Sequence, residues 1–234
     1  MPLAAIFLDL GNTLLRERPS RAEIYAAAAR SRGVAIDESR MGALMARAHA
    51  ALPRELDGAF RYSDAWFRAF HARIFAHELG LGGELSALSD ELFARFQEAR
   101  TFVLFPGARE LLCTLRERGL VLGLISNWSE RLPDLLAALE LDTSFDFALS
   151  SATERLEKPE PGLFRVALRR AGVAADAALH AGDDAERDAR GALAVGLQAV
   201  LVDHHGRLGA LERALCPTVT SLPELGQLIL ERVS

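Results

Sequence analysis

Beyond about residue 104 the chain repeats one pattern, a short apolar run of strand length followed by a longer stretch with helical spacing. The runs are VLGLIS (121 to 126), FDFAL (145 to 149), AALHAG (177 to 182) and AVLVD (199 to 203). Runs that are apolar on both faces and separated by helix-length segments belong to a parallel sheet covered by helices on each side, because parallel neighbours need long crossovers. AAIFLD, residues 4 to 9, reads as one more such strand. Between it and the others, residues 16 to 100 read as helical throughout. RAEIYAAAARSRG, ESRMGALMARAHAAL, SDAWFRAFHARIFAHELG and LSALSDELFARFQEA space their apolar residues three and four apart and end in polar or glycine-rich turns. The expectation is an α/β chain: a doubly wound, Rossmann-like core built from residues 1–15 and 104–234, with an all-helical domain inserted over residues 16–103.

Composition narrows the functions such a chain can have. Half of its 234 residues are apolar, enough for a sizeable core, and a net charge of −5 offers no field for nucleic acid or an anionic membrane. No apolar stretch reaches bilayer length, and MPLAAIFLD lacks the basic start of a secretory signal. Cys113 and Cys216 stand far apart without metal-site spacing. A reducing cytoplasm is the expected location.

Doubly wound sheets bind ligands outside the carboxyl ends of their strands, so the residues just past each apolar run carry the information. The first run ends at Asp9, VLGLIS at Ser126-Asn127, and AALHAG at Asp183-Asp184 with Asp188 one turn on. Lys158 lies in EKPEPGLF, where two prolines mark a helix start. If these ends converge, they form a pocket of several carboxylates, a hydroxyl and one ammonium. Carboxylates crowded in a partly dry pocket repel one another unless a cation compensates them, and an oxygen-only set suits Mg²⁺. Mg²⁺ in turn suits phosphoryl chemistry, in which a carboxylate can attack phosphorus to give an aspartyl phosphate. Lys158 has independent support: it is the single lysine among 27 basic residues, so a compact point charge is kept where every other basic position is arginine.

FLDLGNTL, GLISN, LEKPEPGLF and AGDDAERD followed by ARGALAVG resemble, in order and spacing, the four motifs of the haloacid dehalogenase superfamily. The nearest likeness is to its phosphatase-like members with a helical cap after the first strand. The resemblance implies a Mg²⁺-dependent hydrolase of a small phosphorylated metabolite, working as a monomer or homodimer without nucleic-acid or membrane partners. It implies Asp9 as nucleophile, Ser126 as a hydrogen-bonder to phosphate, and Lys158 as the charge between Asp9 and the phosphoryl group. Asp183 would be a metal ligand together with Asp9 and the Gly11 carbonyl, with Asp184 and Asp188 in support. Thr13, which steadies the loop after Asp9, and Asn127 are expected at the substrate.

One position departs from that pattern. Most phosphatases of the superfamily carry a second aspartate two residues after the nucleophile, to protonate the leaving group and later activate water; here the residue is Gly11. Glycine still offers a carbonyl to a metal, but general acid/base help worth about 10²- to 10⁴-fold is lost, and Asn12 cannot titrate to replace it. The departure keeps two alternatives open. Metal-independent 2-haloacid dehalogenases of the superfamily also lack the second aspartate and carry a Ser-Asn pair. A catalytically weak or retired member would instead bind a phosphometabolite or a protein partner. Phosphonate cleavage is disfavoured, since that branch uses a cap lysine and residues 16–103 contain none.

Remaining features read as structural. VDHH (202 to 205) is taken as a loop, His180 as a packed or hydrogen-bonded histidine, and Trp66, Phe67, Phe70 and Phe75 as the core of the insert. Arg16, Arg18 and Arg21 are basic residues near the junction with the insert, where an anionic substrate could meet them.

Overall fold

The computed structural model describes residues 2–233. Its strands in chain order are β1 (Ala5–Leu8), β2 (Leu15–Glu17), β3 (Glu55–Leu56), β4 (Ala59–Phe60), β5 (Phe102–Leu104), β6 (Val121–Ser126), β7 (Phe147–Ser150), β8 (Ala178–Gly182), β9 (Gln198–Val202) and β10 (Thr218–Val219). Six of them form a parallel sheet in the order β10-β9-β8-β1-β6-β7. The first strand is thus central: Leu8 stands opposite Leu124 of β6 on one side and Ala181 of β8 on the other. Their carboxyl ends therefore open together at one edge, which places Asp9, Ser126 and Asp183 near one another.

Both faces of the sheet are covered, as its apolar strands require. Alternation along β1 sends Ile6 and Leu8 to one face, where they join Leu122, Leu124 and the helices Ala108–Glu117, Leu132–Ala138 and Leu222–Val233. Ala5 and Phe7 go to the other, against Leu163, Phe164 and Ala167 of Pro161–Ala171. This is the doubly wound α/β arrangement that the alternating pattern predicts.

The insert has a core of its own. Helices α1 (Arg21–Arg30), α2 (Glu38–Ala51), α3 (Asp64–His71, continuing as a π-helical stretch Ala72–Glu78) and α4 (Leu85–Arg95) bury Tyr25, Met41, Trp66, Phe70, Phe75 and Leu88 together. Ser20, Asp37 and Ser63 start three of these helices, their side chains accepting hydrogen bonds from the amides of Glu23, Arg40 and Trp66. No helix among the described residues is long and apolar enough to cross a membrane.

The segment is not helical throughout, however. Leu15–Glu17 pairs antiparallel with Phe102–Leu104, tying together the two connections between insert and sheet, and β3 and β4 form a two-residue hairpin. Strands of two or three residues are too short to display a period of two, so the helical reading ran through them. For the same reason β10, two residues at the sheet edge, has no signature in the sequence.

Tyr25, His71 and Ser89 form a buried polar chain within the insert, with Tyr25 Oη 2.9 Å from His71 Nε2 and His71 Nδ1 3.0 Å from Ser89 Oγ. Burial, helped by the positive charge of Arg68, pushes His71 down to about 3. In the unfolded chain the imidazole takes up a proton near its ordinary value, so folded stability from this group is complete above about pH 6.5 and falls as pH drops toward 3. Urea melts of His71→Asn are expected to lose stability less steeply than the parent between pH 6.5 and 5, by up to about 1.4 kcal/mol per pH unit. Equal slopes would contradict this placement of the histidine.

Candidate active site

The loop after β1 turns Asp9 into the opening at the strand ends, and three side chains meet its buried carboxylate. Oδ1 accepts hydrogen bonds from Ser126 Oγ at 3.0 Å and from Lys158 Nζ at 2.6 Å, while Oδ2 lies 3.4 Å from Thr13 Oγ1. Lys158 arrives from the segment before the helix Pro161–Ala171, and Asn127 holds that segment by its backbone. Asn127 Oδ1 accepts from the Lys158 amide at 2.8 Å and Nδ2 donates to the Lys158 carbonyl at 3.0 Å. Both ends of the Asn127 amide thus serve to position Lys158.

A second carboxylate completes the grip on the lysine. Asp188, in the turn Ala185–Arg190, accepts from Lys158 Nζ at 2.5 Å and from His180 Nε2 at 2.8 Å through Oδ1, and from the Asp184 amide at 3.0 Å through Oδ2. This approach requires the glycine that ends β8, since a Cβ on Gly182 would stand 2.1 Å from Asp188 Cγ. Asp183 borders the same opening, and its carboxylate has no hydrogen-bond partner among the described residues. Oxygens of Asp9, Asp183 and Asp188 lie within 4.8 Å of one another. Asp184 faces the cleft but turns its carboxylate to the amides of Glu186 and Arg187, starting the turn that carries Asp188.

Crowding shows in the proton affinities. Burial raises Asp9, with Lys158 opposing the rise. Burial works against the charge on Lys158 too, but the Asp188 and Asp9 carboxylates outweigh it and keep the ammonium protonated. Asp188 is held below the ordinary carboxylate range against its own burial, chiefly by Lys158 and His180. Asp183 is pushed up to about 8, first by burial and then by the charges of Asp9 and Asp188. One ammonium serves three carboxylates, and Asp183 is the one left uncompensated.

The cleft over these residues has a volume of about 400 Å³ and is bordered also by Gly11, Glu17, Arg21, Tyr62, Trp128 and Arg187. Of the three arginines near the junction, Arg21 reaches it, its guanidinium paired with Glu17 at 2.5 Å, while Arg16 and Arg18 are not part of the lining. His204 donates to the Thr13 carbonyl at 2.9 Å and stacks on Phe105, so VDHH buttresses the loop after Asp9. Sequence reading did not single out Tyr62 or Trp128, which carry no chemical signature of their own. Tyr62 has φ 72°, a left-handed backbone that bulky residues rarely adopt, at the lip of the cleft.

Comparison with known proteins agrees with this geometry. Residues 3–196 match the family model described as haloacid dehalogenase-like hydrolase. The chain is 31% identical over 226 residues to the mouse haloacid dehalogenase-like hydrolase domain-containing protein 3, covering 94% of this chain and 90% of that one. It is 34% identical over 225 residues to a phosphoserine phosphatase of Thermus thermophilus, covering 85% and 88%. Among solved structures, a 2-haloacid dehalogenase from Pseudomonas syringae superposes with a TM-score of 0.71 at 26% identity, covering 99% of this chain and all of that one (100%). With a family model spanning most of its length and relatives above 30% identity along nearly all of it, this chain belongs to the haloacid dehalogenase-like hydrolases.

Proposed function

We propose that this hydrolase is a Mg²⁺-dependent phosphomonoesterase that carries the phosphoryl group of a small phosphorylated metabolite on Asp9. The observation that carries the reading is the charge imbalance at the strand ends: Asp9, Asp183 and Asp188 offer oxygens within 4.8 Å of one another against the single Lys158 ammonium. The donor set fits a hard divalent cation, because it is all oxygen and because the Asp183 carboxylate has no hydrogen-bond partner among the described residues. Mg²⁺ held by Asp9, Asp183 and the Gly11 carbonyl would neutralise charge on a bound phosphate. The Thermus relative is named as a phosphatase, which supports the same class of reaction.

Asp9 has the geometry of a nucleophile. Ser126 and Lys158 fix Oδ1, leaving Oδ2 with only the long contact to Thr13 and lone pairs free to attack. Attack forms an oxygen–phosphorus bond and breaks the bond from phosphorus to the ester oxygen, which leaves with the bonding pair and takes a proton from solvent water, the hydroxide so formed later accepting the proton of the water that attacks the phospho-enzyme. Water then attacks the same phosphorus, releasing inorganic phosphate and restoring the carboxylate. Lys158 and Ser126 bind the other oxygen of the same carboxylate, Oδ1, and from there can turn to hold the equatorial oxygens of a phosphoryl group on Oδ2. Asn127 sets the Lys158 backbone, and Asp188 with His180 sets the ammonium. The helical insert over residues 16–103 closes the cleft from above, excluding water and selecting the substrate over a core of residues 1–15 and 104–234.

The likeness to a 2-haloacid dehalogenase, with Gly11 in place of a second acid, favours a second reading: Asp9 displacing halide without metal. That chemistry would leave Asp183 uncompensated beside Asp9, and the cluster ranks it second.

Phosphate release from a panel of phosphorylated metabolites separates the readings. Turnover is expected to need Mg²⁺, to vanish on chelation, and to fall by about 10⁴-fold or more in Asp9→Asn. Release persisting in that variant, or chelator-insensitive halide release from 2-haloacids, would overturn the proposal. A Cβ on Gly11 meets nothing closer than the Trp128 ring at 3.5 Å, so a side chain fits there. Gly11→Asp, supplying the missing acid, is expected to raise kcat by about a hundredfold or more; no turnover from any substrate in either protein would favour a retired, binding-only role.

A further inference from the structure

A second cleft, of about 90 Å³, runs from the Asp9 opening into the insert, sharing Arg21, Tyr62, Asn127 and Trp128 with it. Much of its wall is aromatic, from Tyr25, Tyr62, Phe67, Phe93, Phe96 and Trp128, with Gln97, Asn127 and Ser129 as uncharged polar neighbours. Its charged groups are already matched in pairs. Arg131 binds Asp64 through Nε at 2.8 Å and Nη2 at 2.5 Å, and Arg21 binds Glu17 through Nε at 3.0 Å and Nη2 at 2.5 Å. The two guanidiniums lie over ring faces, Arg131 Cζ 5.2 Å from the centre of the Phe93 ring and Arg21 Cζ 5.1 Å from that of Phe96. His71 also borders the cleft, with both ring nitrogens engaged by Tyr25 and Ser89. Even Arg187, at the mouth of the Asp9 cleft, is paired with Asp184 at 3.2 Å.

A leaving group with its own carboxylate or ammonium would therefore find no unpaired charge in this cleft, and entering it would cost such a group its hydration. A flat apolar group finds ring faces and edges on several sides. We propose, resting on the phosphomonoesterase reading, that the group esterified to the phosphate is an uncharged aromatic ring, seated between Phe67, Phe93 and Trp128 while the phosphoryl group meets Asp9. The second cleft then selects substrate by ring stacking, and the pairing of Arg21 and Arg131 rejects charged competitors.

Binding of non-hydrolysable phosphonates to the Mg²⁺-loaded wild-type chain, measured by titration calorimetry, tests the assignment without relying on turnover. 2-Phenylethylphosphonate is expected to bind at least tenfold more tightly than 2-amino-4-phosphonobutyrate and severalfold more tightly than 2-cyclohexylethylphosphonate. Phe93→Ala and, separately, Phe67→Ala are expected to bring the first ratio down toward one; both residues are half-buried, so one well-folded variant suffices. A phenyl compound that binds no better than either comparator, or ratios unchanged in both variants, would overturn the assignment. If the phenyl preference holds but no phosphomonoester releases phosphate, the ring site stands and the hydrolase reading is the one that falls.

Discussion

The buried ammonium of Lys158 joins the ends of three separate segments at the opening of the sheet. Its Nζ lies 2.6 Å from Asp9, after the first strand, and 2.5 Å from Asp188, in the turn beyond β8. Burying such a cluster costs several kcal/mol per ion, and a well-packed apolar trio would serve stability as well or better. The arrangement makes sense as a site. The same cost explains its strict support: Asn127 clamps the lysine backbone, His180 and the Asp184 amide complete Asp188, and Gly182 gives up a side chain so that Asp188 can approach.

Elements whose physics is written locally were legible in the sequence. Fully apolar runs separated by helix-length crossovers predict a parallel sheet from steric and hydrogen-bonding rules alone, and β1, β6, β8 and β9 lie where those runs are. Asp9, Ser126, Lys158 and Asp183 could be picked out because strand ends in such sheets converge and because one lysine stood among arginines. Other features depend on partners far away in the chain. The β2–β5 ladder joins residues more than eighty positions apart, and neither segment is long enough to show a period. Asp184 and Asp188 look alike as neighbouring acids, yet only tertiary packing decides that Asp188 faces Lys158 while Asp184 caps a turn. Tyr62 and Trp128 reach the cleft through the docking of the insert, which no local pattern encodes.

The division of labour between the two parts of the molecule follows from where charge and apolar surface lie. The strand ends of the sheet and the turns beside them hold the acids and the ammonium within hydrogen-bond distance of one another, the kind of fixed geometry that group transfer requires. The insert supplies most of the aromatic surface of the second cleft, where Arg21 and the core's Arg131 are already paired, and on the proposed reading it meets the part of the substrate that does not react. Gly11 sits between the two, opposite Trp128, where the chain has room for a side chain and lacks one. On the proposed reading, a slow reaction centre lies beneath an aromatic cleft that selects the substrate.

Beryllofluoride, which adopts the shape of a phosphoryl group on a carboxylate, gives a direct view of the state that Asp9 is proposed to reach. In a crystal structure of the chain with Mg²⁺ and beryllofluoride, the beryllium should be bonded to an Asp9 oxygen, with Lys158 Nζ and Ser126 Oγ on its fluorines and the cation between Asp9 and Asp183. An Asp9 carboxylate left bare under those conditions, or a cation bound away from Asp183, would contradict the role assigned to this cluster.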